Sequence, residues 1–492
     1  MKKPFLLTGT MLLITSFTFF SCKKTIENHY LSPARVSAVN PITSTTLGKV
    51  GSLPTAYQGT LLANTTYTVV GDIEILPHDT LYIQPGVTVC VKDTSCIIVK
   101  GVLISIGAQT SPIIFTDCDA VPNNSFTATP TTDPAWNGGN GWWSGIQCDT
   151  SCTLCLLKWT QIWFTGAPFH RTEPIANTKA NGTSYGIFFQ RTNGNFIMED
   201  CKMYGNVDDA VRIQEGQLEV MRCVFEKMGY SGGDNVNIKS GGVGDFAYNL
   251  CIGNATNSSK ASNKGGNTVQ CNVCMYNNTY IDGGYRNQSS GVGSDIDYEQ
   301  GAEGAAYNNL IVNCRIGFRI VGSPVADTNN MYYGYNFIYG DSVSITSQFY
   351  PNPGDVTKPG AYIAPIPTET GYVYNPTGAG AYNSTDAATL AGENNPMFTN
   401  FPLPIPASYG VPIGQVDNYE SNYGGMGFDF HLKSGSPCIG KGTASFHAGY
   451  PINACASVSL PKLGFTPTES GPSTDIGCYP VNDIPANGGN QQ

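Results

Sequence analysis

Residues 81–116, LYIQPGVTVCVKDTSCIIVKGVLISIGAQTSPIIFT, decide the fold of this chain. In this stretch, short runs that alternate apolar and polar residues are separated by Pro-Gly, Asp-Thr-Ser, Lys-Gly and Thr-Ser-Pro. Such runs predict short β-strands joined by tight turns. Because no helical stretch lies between them, the strands must pair with repeats elsewhere in the chain rather than form alternating β/α layers.

Internal repeats supply those pairing partners. Five segments align with one another, EDCKMYGN, MRCVFEKM, NLCIGNAT, NVCMYNNT and NNLIVNCR, and YNFIYGDS is a sixth. Their shared inward position predicts a vertical file of buried side chains: Cys201, Cys223, Cys251, Cys274, Leu310 and Phe337. An asparagine column accompanies this file at Asn249, Asn272, Asn308 and Asn336. The spacing of the repeats is that of one solenoid coil with loops of variable size.

A second column of segments follows the first in constant order: GIFFQ, AVRIQEG, NVNIKSG, KASNKG, DIDYEQG and GFRIVG. Two columns predict at least two stacked sheets, in which each strand hydrogen-bonds to the equivalent strand one coil away, about 4.8 Å along the axis. We therefore predict an all-β protein, a single-stranded right-handed parallel β-helix solenoid with long loops, and we expect a monomer.

Both ends of the body resemble a known family. The opening motifs LYIQPGVTV, VKGVLISIGA, SPIIFT and WWSGI and the closing motifs NPMFTN, DFHLKSGSPCIGKGT and DIGCY are similar to the first and last coils of pectate-lyase-like β-helix lipoproteins of bacteria. The resemblance covers roughly residues 53–480 and implies the β-helix fold and an acidic polysaccharide as the substrate class. Its motifs define coils and ends, and they do not define an active site.

The N-terminus reads as an export signal. In MKKPFLLTGTMLLITSFTFFSC, two lysines precede an apolar stretch that is too short for a transmembrane helix, which predicts a signal peptide over residues 1–21. Cys22, after a small residue, resembles the acylated cysteine of a bacterial lipobox. We expect a lipid at Cys22 to be the only membrane attachment and the outer membrane to be the location; ordinary secretion is the alternative.

The remaining boundaries follow from composition. Residues 22–50 are predicted to be the lipid anchor and a polar tether, and residues 51–480 the β-helix. Within it, residues 351–425 are rich in Pro, Gly, Asn and Tyr and predict a loop-rich flank, and residues 426–480 are expected to be closing coils. The last twelve residues, 481–492, are predicted to be a disordered tail.

Charge and cysteine content restrict the partners. Only 13% of the residues are charged and the net charge is −10, which argues against nucleic acid as a partner and not against a sugar. The chain has 16 cysteines. The spacing of Cys148, Cys152 and Cys155 invites a zinc interpretation, but the surrounding sequence alternates like a strand, so we favour buried thiols that act as small apolar side chains.

Two parallel rows of polar residues are predicted on the outward face of the second column. One row is Phe188, Arg212, Asn237, Ser262, Asp297 and Arg319, and the other is Gln190, Gln214, Lys239, Lys264 and Glu299. Such ladders form a long groove suited to an extended polysaccharide, although any solvated sheet face must be polar.

The family's chemistry implies a polysaccharide lyase if the protein is an enzyme. β-Elimination needs a base near neutral pKa and cations that offset a uronate carboxylate. Lys239 is the candidate base, since neighbouring positive charge lowers a lysine pKa. We expect Arg212 or Arg319 to hold the carboxylate, and Asp297 and Glu299 to orient hydroxyl groups. Asn237 and Lys264 complete the predicted binding row; the same charges would equally form a surface lattice of salt bridges without catalysis.

A glycoside hydrolase is the less favoured enzyme. Asp208, Asp209 and Asp234 resemble the adjacent aspartates of polygalacturonases. However, all five histidines, at positions 29, 78, 170, 431 and 447, lie outside residues 171–430, so that family's Gly-His-Gly motif is missing. The sequence requires no cofactor, but the three aspartates are also candidate Ca²⁺ ligands, because Ca²⁺ prefers clustered carboxylates.

Five tryptophans lie between residues 136 and 163, where they would form a sugar-stacking platform. Trp143 is expected to pack inside a coil, and Trp136, in a Gly- and Asn-rich loop, is expected to be exposed for binding. We thus expect a cell-envelope lipoprotein that binds or processes a polysaccharide. The alternative is a non-catalytic envelope or adhesion protein that uses the solenoid as a rigid scaffold.

Overall fold

The structure is a computed structural model that describes residues 40–51, 53–121, 132–169, 182–287, 289, 292–321, 324–349, 392, 395–406 and 428–481. Within these ranges the chain is built almost entirely of short β-strands. In chain order they are β1 (Pro41–Ile42), β2 (Thr46–Leu47), β3 (Thr55–Ala56), β4 (Gly59–Leu61), β5 (Thr66–Val69), β6 (Ile73–Ile75), β7 (Thr80–Ile83), β8 (Thr88–Val91), β9 (Ile97–Val99), β10 (Val102–Ile106), β11 (Ile113–Asp117), β12 (Ile146–Cys148), β13 (Leu154–Lys158), β14 (Thr160–Trp163), β15 (Ile187–Glu199), β16 (Lys202–Asn206), β17 (Val211–Met221), β18 (Val224–Met228), β19 (Val236–Ile238), β20 (Gly242–Ala247), β21 (Leu250–Ile252), β22 (Ser259–Ser262), β23 (Asn272–Tyr276), β24 (Thr279–Ile281), β25 (Ile296–Glu299), β26 (Glu303–Tyr307), β27 (Leu310–Val312), β28 (Phe318–Val321), β29 (Met331–Gly334), β30 (Phe337–Tyr339), β31 (Phe398–Asn400) and β32 (Asp429–Leu432).

Helical segments within these ranges are few and short. One α-helix, α1, spans Val343–Thr346, and 3₁₀ turns span Pro134–Gly139, Thr328–Asn330 and Pro461–Leu463. No helix in the described part of the chain is both long and apolar enough to cross a membrane.

The strands β1 to β30 form three parallel sheets, because each strand pairs with the equivalent strand one coil earlier and one coil later. Sheet 1 contains β1, β4, β7, β10, β13, the ends of β15 and β17, then β20, β23, β26 and β29. Sheet 2 contains β2, β5, β8, β11, β14, β16, β18, β21, β24, β27 and β30. Sheet 3 contains β3, β6, β9, β12, the beginnings of β15 and β17, then β19, β22, β25 and β28. The protein is therefore a parallel β-helix solenoid, and the predicted fold is confirmed.

Side chains of equivalent positions stack inside the solenoid. In sheet 1, for example, Leu103, Cys155, Phe196 and Leu218 lie at the same position on successive coils, and all four are fully buried. Burying one such apolar side chain stabilises the fold by about 1.5–3 kcal/mol. Trp143 belongs to this core, as predicted. On the next coil, Gly244 has a φ of 152°, and a Cβ there would lie 1.9 Å from the Leu218 carbonyl oxygen, so only glycine fits.

The predicted file of thiols is correct only in part. In the turn from sheet 1 to sheet 2, Cys201 and Cys223 occupy the same position on successive coils, since the Val224 amide donates to the Cys201 carbonyl. Cys251 lies two residues further, beside Phe225, and Cys274 belongs to sheet 1. On the four coils that follow Cys223, its position is occupied by asparagines instead: Asn249, Asn278, Asn309 and Asn336.

These asparagines form a buried hydrogen-bonded ladder. The Asn278 side-chain oxygen accepts from the backbone and the side-chain amide of Asn249, and the Asn309 oxygen accepts in the same way from Asn278. The predicted asparagine column was right at Asn249 and Asn336 and wrong at its two middle members. The ladder satisfies buried turn amides that no sheet pairing reaches.

The C-terminal segment does not form the predicted closing coils. Residues 428–481, which we call the strap, contain one strand, β32, which pairs antiparallel with β31, and the rest of the strap packs on the outside of the solenoid. Its Ile476, Cys478 and Tyr479 cover sheet 2, and its Phe446, Tyr450 and Ile452 cover late coils of sheet 1. Its residues 455–465 reach back to sheet 1 strands β10 and β13. Along sheet 1 the strap therefore runs from late coils to early coils and then returns, because its Ser470 and Asp475 contact Tyr276 and Asn277. None of these contacts involves the outer face of sheet 3.

The coils begin earlier than predicted, because β1 and β2 lie inside the segment assigned to the tether. The signal peptide, Cys22, most of the flank at 351–425 and the tail after residue 481 lie outside the described residues. Among the described cysteines, Cys90 and Cys118 form a disulfide and the other thirteen are buried thiols.

Candidate functional site

The outward residues of sheet 3 form one continuous row, defined by the strand register. From the N-terminal coil onward the row is Ala56, Glu74, Ile98, Gln147, Phe188, Arg212, Asn237, Lys260, Asp297 and Arg319. We call its last five members the charged row. The predicted row had Ser262 in place of Lys260, but Ser262 pairs with Glu299 and lies in the neighbouring row. Lys260 was missed, although the alternation of polar and small residues in Ser-Lys-Ala-Ser indicates an outward side chain at that position.

Asp209 organises the first two coils of the charged row. It lies in the turn that enters β17 and is buried. Its carboxylate accepts from Arg212 Nη1 and Asn237 Nδ2, each at 2.9 Å, and from the Asp234 backbone amide at 2.9 Å. The Arg212 guanidinium also lies over the Tyr185 ring, 4.8 Å from its centroid. These contacts fix the direction of Arg212, whose side chain keeps 23% exposure.

The same turn carries a polar ladder through the following coils. Asp234 Oδ1 accepts from the backbone and the side-chain amide of Asn257, at 3.0 and 2.9 Å. Asn257 Oδ1 accepts from the Ser294 amide and hydroxyl, and the Ser294 hydroxyl accepts from Arg319 Nε at 3.0 Å. Asn257 and Ser294 were not predicted, because short polar residues in a turn resemble ordinary turn formers.

Oppositely charged side chains of the later coils pair with one another. Lys260 Nζ lies 3.0 Å from Glu299 and 3.8 Å from Asp297, and Arg319 Nη2 lies 3.2 Å from Asp297. Asp297 is fully buried, and its second oxygen, Oδ1, has no hydrogen-bond partner within the described ranges. Burial raises the Asp297 pKa, which the charges of Arg319 and Lys260 oppose. Lys260 and Glu299 keep partial exposure, 16% and 14%.

Lys239 differs from the other cations of this face. It follows β19, is 5% exposed, and its amine makes no hydrogen bond or ion pair with any residue in the described part of the chain. Burial, with smaller contributions from the charges of Arg212 and Lys260, lowers the Lys239 pKa to about 8. Lys264, predicted to lie on the next coil beside Lys239, is instead exposed in the loop after β22, and the neighbour of Lys239 is Ser262.

The three aspartates predicted as metal ligands lie close together but are mostly engaged with protein donors. Asp209 and Asp234 accept the hydrogen bonds described above, and Asp208 Oδ1 accepts from the Asp209 amide at 2.9 Å. Burial and the charge of Asp209 raise the Asp208 pKa to about 7. Among the described residues, no group of three or more His, Cys, Asp or Glu side chains has an arrangement that could hold a metal ion.

Trp136 was predicted to be exposed, and this prediction is wrong. Its side chain is fully buried beneath the Pro134–Gly139 turn, and its indole N–H donates to the Lys227 carbonyl at 3.1 Å. The Arg286 guanidinium lies over the ring at 4.8 Å, and Tyr230 packs against its edge. A fully buried tryptophan whose N–H is donated and whose face is covered by a guanidinium cannot stack on a sugar. Its role is to attach the loop to the solenoid.

The fold and this face define the class: a parallel β-helix protein with a charged row on one sheet. Comparison with protein-family models, with curated proteins and with solved structures finds no match. The likeness to one family within that class therefore rests on the sequence motifs alone.

Proposed function

We propose that the protein is a cell-envelope lipoprotein whose β-helix binds an extended acidic polysaccharide along the charged row, and that β-elimination by a polysaccharide-lyase mechanism is the chemistry for which this face is suited. The observation that carries the proposal is Lys239, a largely buried lysine whose amine makes no hydrogen bond or ion pair with any described residue. An amine whose pKa is lowered to about 8 is half neutral at that pH. It would then be able to accept the proton next to a uronate carboxylate.

The neighbouring cations support the same chemistry. Arg212 and Lys260 lie on either side of Asn237, and both keep partial exposure. A substrate carboxylate bound there would be neutralised as negative charge develops during proton removal. Equivalent positions on neighbouring coils are about 4.8 Å apart, so a polymer laid along the axis would meet a new polar side chain at each coil.

One observation favours the alternative, a non-catalytic envelope or adhesion scaffold. Arg212, Lys260 and Arg319 each already pair with a carboxylate of this face. A self-neutralised lattice of this kind needs no ligand to be stable. The two functions differ in whether the face retains and cleaves glycans.

The test is incubation of the purified full chain with a panel of uronate-containing polysaccharides. We expect the ultraviolet absorbance of the unsaturated product to rise, and Lys239→Ala to abolish that rise while glycan retention persists. The matched control is Lys92→Ala, which removes an exposed lysine from an early coil. New reducing ends without unsaturated product would indicate hydrolysis instead, with Asp208 as the candidate acid. If the chain neither retains nor cleaves any glycan of the panel, the non-catalytic scaffold is favoured.

The membrane attachment needs its own test. Cys22 lies outside the described residues, and its acylation is proposed from the resemblance to a lipobox. Metabolic labelling with a tagged fatty acid should label the wild-type chain and leave Cys22→Ser unlabelled. An unlabelled wild-type chain recovered in the soluble fraction would contradict the lipid anchor and leave the proposal for the charged row untouched.

A further inference from the structure

Three carboxyl groups meet between sheet 1 and the strap, on the side of the solenoid away from the charged row. Glu199 and Glu219 come from β15 and β17 and are 0% and 1% exposed, and Glu469 comes from the strap. Neither carboxyl oxygen of Glu219 has a hydrogen-bond donor within the described ranges, and the same holds for Glu469. Two carboxyl groups that face each other without donors are an unusual arrangement that calls for a physical explanation.

The nearby cations do not supply it, because they bind other carboxylates. Lys158 Nζ contacts Glu199 at 2.5 Å and Asp200 at 3.5 Å. Arg222 contacts Asp200 at 2.8 Å and Glu199 at 3.3 Å. Lys158 and Arg222 therefore pair with Glu199 and Asp200, and neither Glu219 nor Glu469 forms an ion pair with a described residue.

A further buried carboxyl group on the same outer row holds the strap directly. Asp245 is the neighbour of Glu219 on the following coil, and it accepts from the Ile452 and Asn453 backbone amides of the strap at 2.9 and 2.6 Å. Beside Glu219, Arg222 donates to the Thr468 carbonyl at 2.8 Å and to the Ser470 hydroxyl at 2.7 Å. The strap is thus attached where the unpaired acids are concentrated.

We propose that a proton on the buried carboxyl group of Glu219 holds the strap on sheet 1, so that the strap loosens as this proton is lost with rising pH. The protonated Glu219 carboxyl group donates to a neighbouring carboxylate, and its ionised form would face Glu199 and Glu469 without an ion-pair partner among the described residues. The charged and titratable groups around Glu219 are Glu199, Asp245, Arg222 and Lys158 on the solenoid and Glu469 and Cys455 on the strap.

The direction of the pH effect follows from linkage. Burial, with the nearby Glu199 and Glu469, raises the pKa of Glu219 well above its ordinary value. Undocking of the strap would return Glu219 to water and to its ordinary pKa. Docking is then strongest below the ordinary pKa, near 4, and weakens as the pH rises through the docked pKa. Loss of the Glu219 proton raises the opening constant about tenfold per pH unit within that window.

The test is hydrogen exchange of the full chain at pH 5, 6, 7 and 8, with each rate divided by the intrinsic exchange rate at that pH. We expect the opening constant of strap amides 452–470 to rise about tenfold per pH unit from pH 5 upward. Glu219→Gln keeps the shape and the donor of the protonated acid, and it should remove about tenfold per pH unit from that rise. The control is Glu74→Gln, because the Glu74 carboxylate lies far from the strap and pairs with Lys100 at 2.7 Å. This variant should retain the wild-type rise in the opening constant.

A pH-independent opening constant in the wild-type chain would overturn the proposal. So would an unchanged pH dependence in Glu219→Gln. If Glu219→Gln does not fold, Glu469→Gln, on the less buried strap side, gives the same comparison. Alkylation of the buried strap thiol Cys455, mapped by mass spectrometry at pH 7 in both variants, provides a second readout: it should be slower in the glutamine variant than in wild type.

Discussion

Replacing Asn278 by alanine tests whether the asparagine ladder stabilises the solenoid. The Asn278 amide group donates to the Phe246 carbonyl at 3.0 Å and to the Asn309 oxygen at 2.9 Å. Its oxygen accepts from the Asn249 backbone and side-chain amides, at 2.9 and 3.0 Å. All of these groups are buried, and alanine removes all four hydrogen bonds.

The magnitude depends on which partners keep another hydrogen bond. The Asn309 oxygen keeps the Asn278 backbone amide, and the Asn249 side-chain amide keeps the Val220 carbonyl. The Asn249 backbone N–H and the Phe246 carbonyl lose the side-chain partner that the ladder provides. Each buried group left without a partner costs about 1–3 kcal/mol, so we expect a loss of about 3 kcal/mol in the free energy of unfolding.

The assay is chemical denaturation of the full chain, followed by circular dichroism, together with hydrogen exchange of the Asn249 amide. The second measurement is needed because a solenoid need not unfold in one step. The control is Asn329→Ala, which changes an exposed asparagine and should shift the stability by less than about 0.5 kcal/mol. A loss below about 1 kcal/mol in Asn278→Ala, with the Asn249 amide still protected, would refute the role given to the ladder.

Three further outcomes are expected. If Lys239 is the base, cleavage should rise about tenfold per pH unit and level off above about pH 8, because only the neutral amine accepts a proton; a rate that falls over this range, measured by product absorbance, would exclude it. Trp136→Ala should cost about 3–5 kcal/mol in thermal unfolding without a selective loss of glycan retention, since the ring is buried; lost retention in a stably folded variant would contradict this. Breaking the Cys90–Cys118 disulfide by Cys118→Ser should lower the stability by about 3–4 kcal/mol, because the bond closes a loop with a sequence separation of 28, and unchanged denaturation would mean that it contributes nothing.

Much of the sheet 3 row was accessible from the sequence. A strand alternates its side chains with a period of two, and parallel coils repeat that alternation without reversal, so aligned segments place aligned residues side by side. This reasoning predicted Arg212, Asn237, Asp297 and Arg319 as one row. It failed at one coil, because the segment around residue 260 fits the alternating pattern in two registers, one that places Ser262 in the row and one that places Lys260 there. Only the pairing of β22 with β25 selects Lys260.

The turn residues could not be assigned in the same way. Asn277–Asn278 and Asn308–Asn309 each offer two adjacent asparagines, and only the backbone hydrogen bonds decide which one enters the ladder. A one-residue change of register reverses which side chains point inward, so the predicted column shifted where the sequence was ambiguous.

By itself, the sequence determined that the chain is a parallel β-helix, because the period of the strands and the recurrence of the coils are local properties. The tertiary structure alone decided what covers the solenoid and what is buried on its outside. Trp136 is buried by contacts with residues about ninety positions away, and the strap meets sheet 1 through contacts that span more than two hundred. Such contacts belong to no repeat, so the periodicity of the sequence does not predict them. The raised pKa of Glu219 follows from its burial beneath the strap and the lowered pKa of Lys239 from its burial on sheet 3, and both shifts exist only once the chain has folded.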